Sequence, residues 1–227
     1  MPRFCGVFFY LIDAMPESPQ SLFDALAYEY ESMREEVGWN PFVHILEVFG
    51  SSDLTGKSIL DAGCGTGECT RWFQSRGAEP YGLDISPEMC FKAAENSENI
   101  PYLCHDLSEP FPFDDARFDA AVALGCLEYI ENIEDTVREF ARVLKPGGVF
   151  LGCFERCGRD CPGGTAQSVV KFDDWVRFSL PENEISSIIL RHFAKADFKR
   201  VPGFKLTDDD GKDTGKQTQY LRVTACK

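Results

Sequence analysis

Two acids and three glycines define the chemistry open to this chain. The run Lys57-Ser58-Ile59-Leu60-Asp61-Ala62-Gly63-Cys64-Gly65-Thr66-Gly67-Glu68 carries an apolar stretch into a turn with glycine at every second position. A second stretch, Tyr81-Gly82-Leu83-Asp84-Ile85-Ser86, reads as a second strand with the acid Asp84 at its tip. Glycines let the backbone turn sharply and pass close to a ligand, where any side chain would intrude. A helix from about Glu68 to Arg76 begins at the turn and aims its unpaired amides at the ligand's polar end. Asp84 lies 21 residues beyond Gly63, the separation at which a carboxylate on a second strand reaches two ribose hydroxyls. Asp61 adds an acid suited to an ammonium group and a cationic sulfonium. Together these residues read as a nucleoside pocket.

A nicotinamide-binding fold shares much of this pattern. Its fingerprint is G-x-G-x-x-G, with the last glycine permitting close helix packing and the turn leaving room for pyrophosphate. Here that last position is Glu68, whose charge opposes a pyrophosphate, and the spacing is G-x-G-x-G.

On these residues the chain resembles the class I S-adenosylmethionine-dependent methyltransferases, over roughly residues 57 to 154. Three later landmarks agree: Cys104-His105-Asp106-Leu107 is similar to the segment after the third strand, Phe118 to Gly125 to the fourth strand, and Arg142 to Leu151 to the helix end, turn and fifth strand of small-molecule members. The resemblance implies that the loop with Asp61, Gly63, Cys64, Gly65 and Gly67 holds the cofactor's methionine part and that Asp84 holds its ribose. It also implies that Ile85 and Leu107 cover the adenine faces, that Asp106 receives the adenine amino group, and that Leu124 borders the cofactor. The implied fold is an α/β, Rossmann-like, doubly wound, mostly parallel seven-stranded sheet of order 3-2-1-4-5-7-6, its last strand antiparallel, with an N-terminal helical cap. The expected division is residues 1–56 for the N-terminal segment and cap and 57–227 for the core.

The elements that must position these residues can be read along the chain. Ser21 offers an N-cap to a helix from about Leu22 to Val37, whose Phe23, Leu26, Ala27, Tyr30 and Met33 recur at helical spacing; Pro41 opens a second helix to about Phe49. Tyr28 or Tyr30 either closes over the methionine end or is an ordinary core or surface aromatic. Strands are expected near 57–62, 79–84, 100–104, 118–124 and 147–154, an alternation with helices that demands right-handed parallel crossovers. Asp208-Asp209-Asp210-Gly211 is a turn signal between two β-like runs, Phe198 to Leu206 and Gln217 to Thr224.

Composition bounds the function. The chain has 227 residues, 44% of them hydrophobic, which suits one domain with its own core, and its formal charge of -14 opposes a non-specific grip on nucleic acid. Ten cysteines scattered over predicted strands and helices suit reduced thiols in a cytoplasmic protein better than a disulfide scaffold. The apolar run from Phe4 to Ile12 is too short to span a bilayer and is expected to pack on the domain. Cys153, Cys157 and Cys161, spaced C-x3-C-x3-C beside Gly158, Gly163 and Gly164, read as free loop thiols; a soft metal or metalloid is the lesser reading, and no metal site is expected.

Methyl transfer is an in-line displacement, and positioning alone supplies up to about 7–11 kcal/mol, so a dedicated catalytic residue is optional. A hydroxyl acceptor needs a base. His105 beside Asp106 and His44 on the second cap helix are candidates, whereas His192 reads as structural. Glu128 and Tyr129, just past the fourth strand, either meet the acceptor or cap the following helix. The Asn- or Asp-Pro-Pro-aromatic motif of amide and exocyclic-nitrogen methylation is replaced by Leu124-Gly125-Cys126-Leu127, and Leu124 and Gly125 offer no side-chain ligand to magnesium. Phe172 to Leu190, with Trp175, Phe178 and Leu180, is expected to wall a partly apolar acceptor site. The expected partner is a small-molecule methyl acceptor, with O, N, S or C left open; a non-catalytic cofactor-binding subunit is the rival reading.

Overall fold

The computed structural model describes residues 18–36, 38–156, 168–172, 175–207 and 213–227. Its strands are β1 (Ser58–Ala62), β2 (Glu79–Asp84), β3 (Tyr102–Cys104), β4 (Phe118–Ala123), β5 (Leu144–Glu155), β6 (Ser168–Phe172), β7 (Trp175–Ser179), β8 (Lys195–Thr207) and β9 (Asp213–Cys226). Seven of them form one sheet in the order β3-β2-β1-β4-β5-β9-β8, while β6 and β7 make a separate hairpin. With that hairpin set aside, the order is the expected 3-2-1-4-5-7-6. β9 alone runs against its neighbours, pairing antiparallel with both β5 and β8.

Seven helices are described: α1 (Pro19–Leu26), α2 (Tyr30–Glu36), α3 (Phe42–Phe49), α4 (Glu68–Ser75), α5 (Pro87–Glu95), α6 (Ile133–Val143) and α7 (Glu182–His192). None of the described helices is long and apolar enough to cross a membrane.

Alternation along the strands builds two cores. Leu60, Ala121 and Phe150 face α6 and α7, packing with Val137, Phe140, Ile188 and Ile189. Their neighbours Ile59, Ala120, Val122 and Leu151 face the other way, onto Ile45 and Phe49 of α3 and Phe73 of α4. Strands buried on both faces read as unbroken apolar runs, which is why β1 and β4 stood out in the sequence. Because α4 follows β1 on one face and α6 follows β4 on the other, the chain diverges above the adjacent carboxyl ends of β1 and β4, and a crevice opens there.

Four details depart from expectation. The single helix over 22–37 is two helices, interrupted at Ala27 to Glu29, where the Glu29 N–H closes a tight turn on the Leu26 carbonyl (2.9 Å). Tertiary contacts favour the break: exposed Tyr28 lies under the Lys92 ammonium, 4.7 Å from the ring centroid, and Tyr30 swings against Gly65. The N-cap is Ser18 rather than Ser21; Ser21 is its capping-box partner, each side chain accepting from the other's backbone N–H. β3 begins at Tyr102 because Pro101 has no N–H to pair. Cys153 is no loop thiol: it lies in β5, fully buried against Trp39, Val201 and Tyr220. Cys157, Cys161, the run from Phe4 to Ile12 and the turn at 208–211 lie outside the described residues.

A close approach fixes one strand residue. A Cβ on Gly82 would sit 2.8 Å from Tyr102 Cε1 and 2.9 Å from Cys64 Sγ. Gly82→Ala is expected to cost about 1–3 kcal/mol by overpacking. Urea unfolding should show this, with much of the loss recovered when Tyr102→Ala is added.

Candidate functional site

The crevice encloses a cavity of about 610 Å³, within the range of about 300–1,000 Å³ usual for small-ligand sites. Its floor is the glycine turn, where Gly63, Gly65 and Gly67 have φ of 70°, 52° and 79°, all left-handed. The loop is tied to the tip of β2. Gly65 N–H donates to Asp84 Oδ2 at 2.8 Å and Ser86 N–H to Oδ1 at 3.0 Å. Burial raises the Asp84 carboxyl from 3.8 to about 6, against the pull of those backbone donors.

Of the residues expected to hold a cofactor, Gly63, Gly65, Asp84, Ile85, Asp106 and Leu107 line this one cavity. Asp106 is held in a turn by Ser108, whose N–H and Oγ both donate to its Oδ1 at 2.8 Å. Asp61, Cys64, Gly67 and Leu124 do not line it. The Asp61 carboxylate lies behind the loop, accepting from Thr70 Oγ1 at 2.5 Å, and burial raises it to about 6. Cys64 turns toward Gly82, Gly67 starts α4 beneath Tyr102, and Leu124 packs with the Ile45 and Trp39 clusters. Side chains on one strand end alternate between faces, so only part of a motif can meet the ligand.

The catalytic candidates separate more sharply. His44 lies outside the cavity: its ring packs on Trp39, with centroids 5.6 Å apart, and burial together with Arg222 lowers its pKa to about 4. His105 packs edge-on against Phe111 and also stays outside. Glu128 is buried and does not line this cavity, nor does it cap α6, whose N-cap residue is Asn132. Tyr129 lines the cavity, and burial raises its phenol. From the expected acceptor wall, Phe178 lines the cavity while Leu180 packs on the main core.

Several lining residues escaped sequence reasoning, notably Gln20 and Phe23 of α1, and Cys126, Ile130 and Glu131. Phe23 meets Tyr129 at 5.4 Å and 90° and Tyr30 at 6.1 Å and 74°, so two rings of the cap and one from the distant turn after β4 form a corner. Polar contacts clasp α1 and α2 over the turn: Ser86 Oγ to Asp24 (2.5 Å), Thr66 Oγ1 to Glu31 (2.7 Å) and Arg34 to Glu68 (2.5 Å). Glu68 is thus paired with Arg34 of the cap and does not line the cavity. Arg177 also went unnoticed, although a lone cation in the apolar alternation Trp175-Val176-Arg177-Phe178 was a visible signal.

A family model described as a methyltransferase domain matches residues 60–152. Residues 60–152 carry a methyltransferase domain. Demethylmenaquinone methyltransferase of Tropheryma whipplei is 38% identical over 99 residues, covering 43% of this chain and 41% of that protein. Malonyl-[acyl-carrier protein] O-methyltransferase of Hamiltonella defensa is 33% identical over 134 residues, covering 58% and 49%. The chain therefore matches less than half the length of either relative. In fold, the methyltransferase domain and its surroundings are similar to Burkholderia thailandensis 1,6-didemethyltoxoflavin-N1-methyltransferase, solved with S-adenosylhomocysteine, at a TM-score of 0.60 and 21% identity over 95% of this chain and 93% of that one. S-adenosylmethionine is the cofactor of methyltransferase domains of this class.

The buried acids of the methyltransferase domain set a pH dependence. Asp61 and Asp84 bind protons more tightly in the folded, ligand-free chain than in the unfolded one. Their stabilisation is full below the unfolded value of 3.8 and is lost as pH rises through about 6. Asp84→Asn removes one such group. Between about pH 5 and pH 7.5 its unfolding free energy should fall by about 1 kcal/mol less than that of the unsubstituted chain, measured by calorimetry without ligand.

Proposed function

We propose that this chain transfers a methyl group from S-adenosylmethionine to a small, ring-bearing acceptor, chiefly by holding the two aligned. The observation that carries this reading is the joining of Asp84 to the glycine turn in the wall of a cavity that continues beyond it to Phe23, Tyr129, Ile130 and Phe178. The residues fit the cofactor. Asp84 keeps a buried carboxylate beside backbone that carries no side chain, and Asp106 presents an exposed acid farther along the same wall. S-adenosylmethionine, when bound, supplies an electrophilic methyl on a sulfonium.

In this reading Asp84 accepts hydrogen bonds from the ribose hydroxyls, Ile85 and Leu107 sandwich the adenine, and Asp106 receives its amino group. Gly63 and Gly65 admit the methionine part. Asp61 serves indirectly, fixing Thr70 and with it the start of α4. The aromatic corner and Phe178 then exclude water and orient a flat acceptor, the arrangement that positioning requires. No base is assigned, since the His44 and His105 side chains lie outside the cavity. The two curated relatives differ in the acceptors they are named for, so this acceptor is inferred from the cavity's own apolar wall. That wall also favours an enzyme over a subunit that merely holds cofactor, which would need no second compartment. We place the protein in the cytoplasm, in keeping with seven free cysteines among the described residues.

Asp84→Ala tests the cofactor assignment. It should weaken S-adenosylhomocysteine binding about 10- to 100-fold by calorimetry, the loss of hydrogen bonds to a charged group, with circular dichroism unchanged. Unchanged affinity would remove Asp84 from the site. Incubating a cell extract with isotopically labelled cofactor, followed by mass spectrometry of the labelled product, identifies the acceptor.

A further inference from the structure

Beneath the acceptor side of the cavity lies a group of charges that the reading above leaves unused. Glu128, Glu155, Arg177 and Tyr220 come from four elements: the 3-10 turn after β4 (Leu127–Tyr129), β5, β7 and β9. Arg177 is 2% exposed. Its Nη2 donates to Glu128 Oε1 at 3.0 Å, to Tyr220 Oη at 2.7 Å, and pairs with Glu155 Oε2 at 2.5 Å. Tyr220 also donates to Glu128 Oε1 at 2.6 Å. The guanidinium carbon lies 5.6 Å from the Tyr129 ring centroid, where a cation is attracted to the ring's face.

Apolar residues of equal volume would hold these four elements together at least as strongly, because buried ions surrender their hydration. What a guanidinium adds is direction. Its Nη2 draws three partners from three elements to one point, as a greasy contact cannot. Here Arg177 sits on the strand that presents Phe178, and its partner Glu128 sits on the turn that presents Tyr129, two walls of the same compartment.

We propose that Arg177 is a positioning residue for the methyl acceptor: it clamps the β6–β7 hairpin to the turn after β4 and so holds Tyr129 and Phe178 at the spacing that receives the acceptor. Arg177 touches neither cofactor nor acceptor. It acts through Tyr129 and Phe178, and the proposal rests on the methyltransferase reading given above. The cofactor half, built on Asp84 and the glycine turn, does not depend on the clamp.

The test uses the full chain, S-adenosylhomocysteine, isotopically labelled S-adenosylmethionine, and the small-molecule fraction of an extract from the organism that makes the protein. Arg177→Met should bind S-adenosylhomocysteine within about twofold of the unsubstituted chain. The extract concentration giving half-maximal labelling should rise at least about tenfold, with a smaller fall in the maximal rate. In Arg177→Ala, millimolar guanidinium should restore half-saturation while ammonium does not. A wild-type half-saturation in Arg177→Met overturns the clamp. So does a parallel loss of cofactor binding, which would mark Arg177 as merely structural. Should Arg177→Met fail to fold, Glu155→Gln, which leaves the Arg177–Glu128 pair in place, is expected to raise half-saturation by an intermediate factor; no rise overturns the proposal. Should the unsubstituted chain not bind S-adenosylhomocysteine, the methyltransferase reading fails. The clamp is then judged by hydrogen exchange: residues 127–130 and 175–180 should accelerate together in Arg177→Met, and independent behaviour refutes it.

Discussion

The hydrogen bond from Gly65 N–H to Asp84 is the contact on which the site depends. A carboxylate taken out of water must be compensated, and here the compensation is backbone: Gly65 N–H on one oxygen and Ser86 N–H on the other. Each donor fixes a different element. Gly65 holds the turn between β1 and α4 in its left-handed conformation, and Ser86 is the N-cap of α5, its Oγ accepting from Met89 N–H at 3.0 Å. The same Ser86 Oγ reaches Asp24 on α1. One buried acid thus sets the register of the turn, a helix start and the cap. Two donors still leave Asp84 with a pKa near 6, so an additional donor from a ligand is worth more here than at an exposed carboxylate.

The cap is held in a different manner from the core. Between α6 and the sheet the contacts are apolar, with Phe140 and Phe150 both fully buried. Between the cap and the glycine turn they are polar and bridge long sequence separations: Glu31 to Thr66, Arg34 to Glu68, Asp24 to Ser86. These partners are themselves largely buried, with Ser86, Thr66 and Arg34 all withdrawn from water, and Leu22, Leu26 and Met33 pack beside them with Tyr30 and Tyr129. The cap is thus held over the turn by polar pairs and by an apolar cluster together.

How much of this was legible in the sequence follows from where each feature is encoded. Backbone-encoded features were readable: three glycines in alternate positions, an acid at a strand end, apolar runs long enough for buried parallel strands. The positions of β1, β2 and β4 and the lining roles of Gly63, Gly65 and Asp84 came from those signals. Features decided by tertiary packing were not. The break between α1 and α2 depends on Tyr28 meeting Lys92 and Tyr30 meeting Gly65, contacts between residues far apart in the chain. His44 was placed on the correct helix, but the side chain faces Trp39. Asp61 and Leu124 sit on the expected strand ends, and only the direction of each side chain removes them from the cavity wall.

The same division bears on specificity. The matched methyltransferase domain ends at residue 152, so Gly63, Asp84, Asp106 and Leu107 fall inside it, whereas Phe23, Tyr30 and Phe178 fall outside. The buried charge group straddles the boundary, with Glu128 inside and Glu155, Arg177 and Tyr220 beyond. Likeness within 60–152 therefore speaks for the part of the cavity that backbone geometry builds, and it is silent on the walls that side chains from α1, α2 and β7 build. A chain can keep that part and change its acceptor by altering those walls, provided something holds the new wall against the old turn. In this chain Arg177 is one of the contacts that do so, beside the Leu180 N–H bond to the Glu155 carbonyl at 3.2 Å and the packing of Leu180 on the main core, and it joins the hairpin to the turn after β4 without lining the cavity itself.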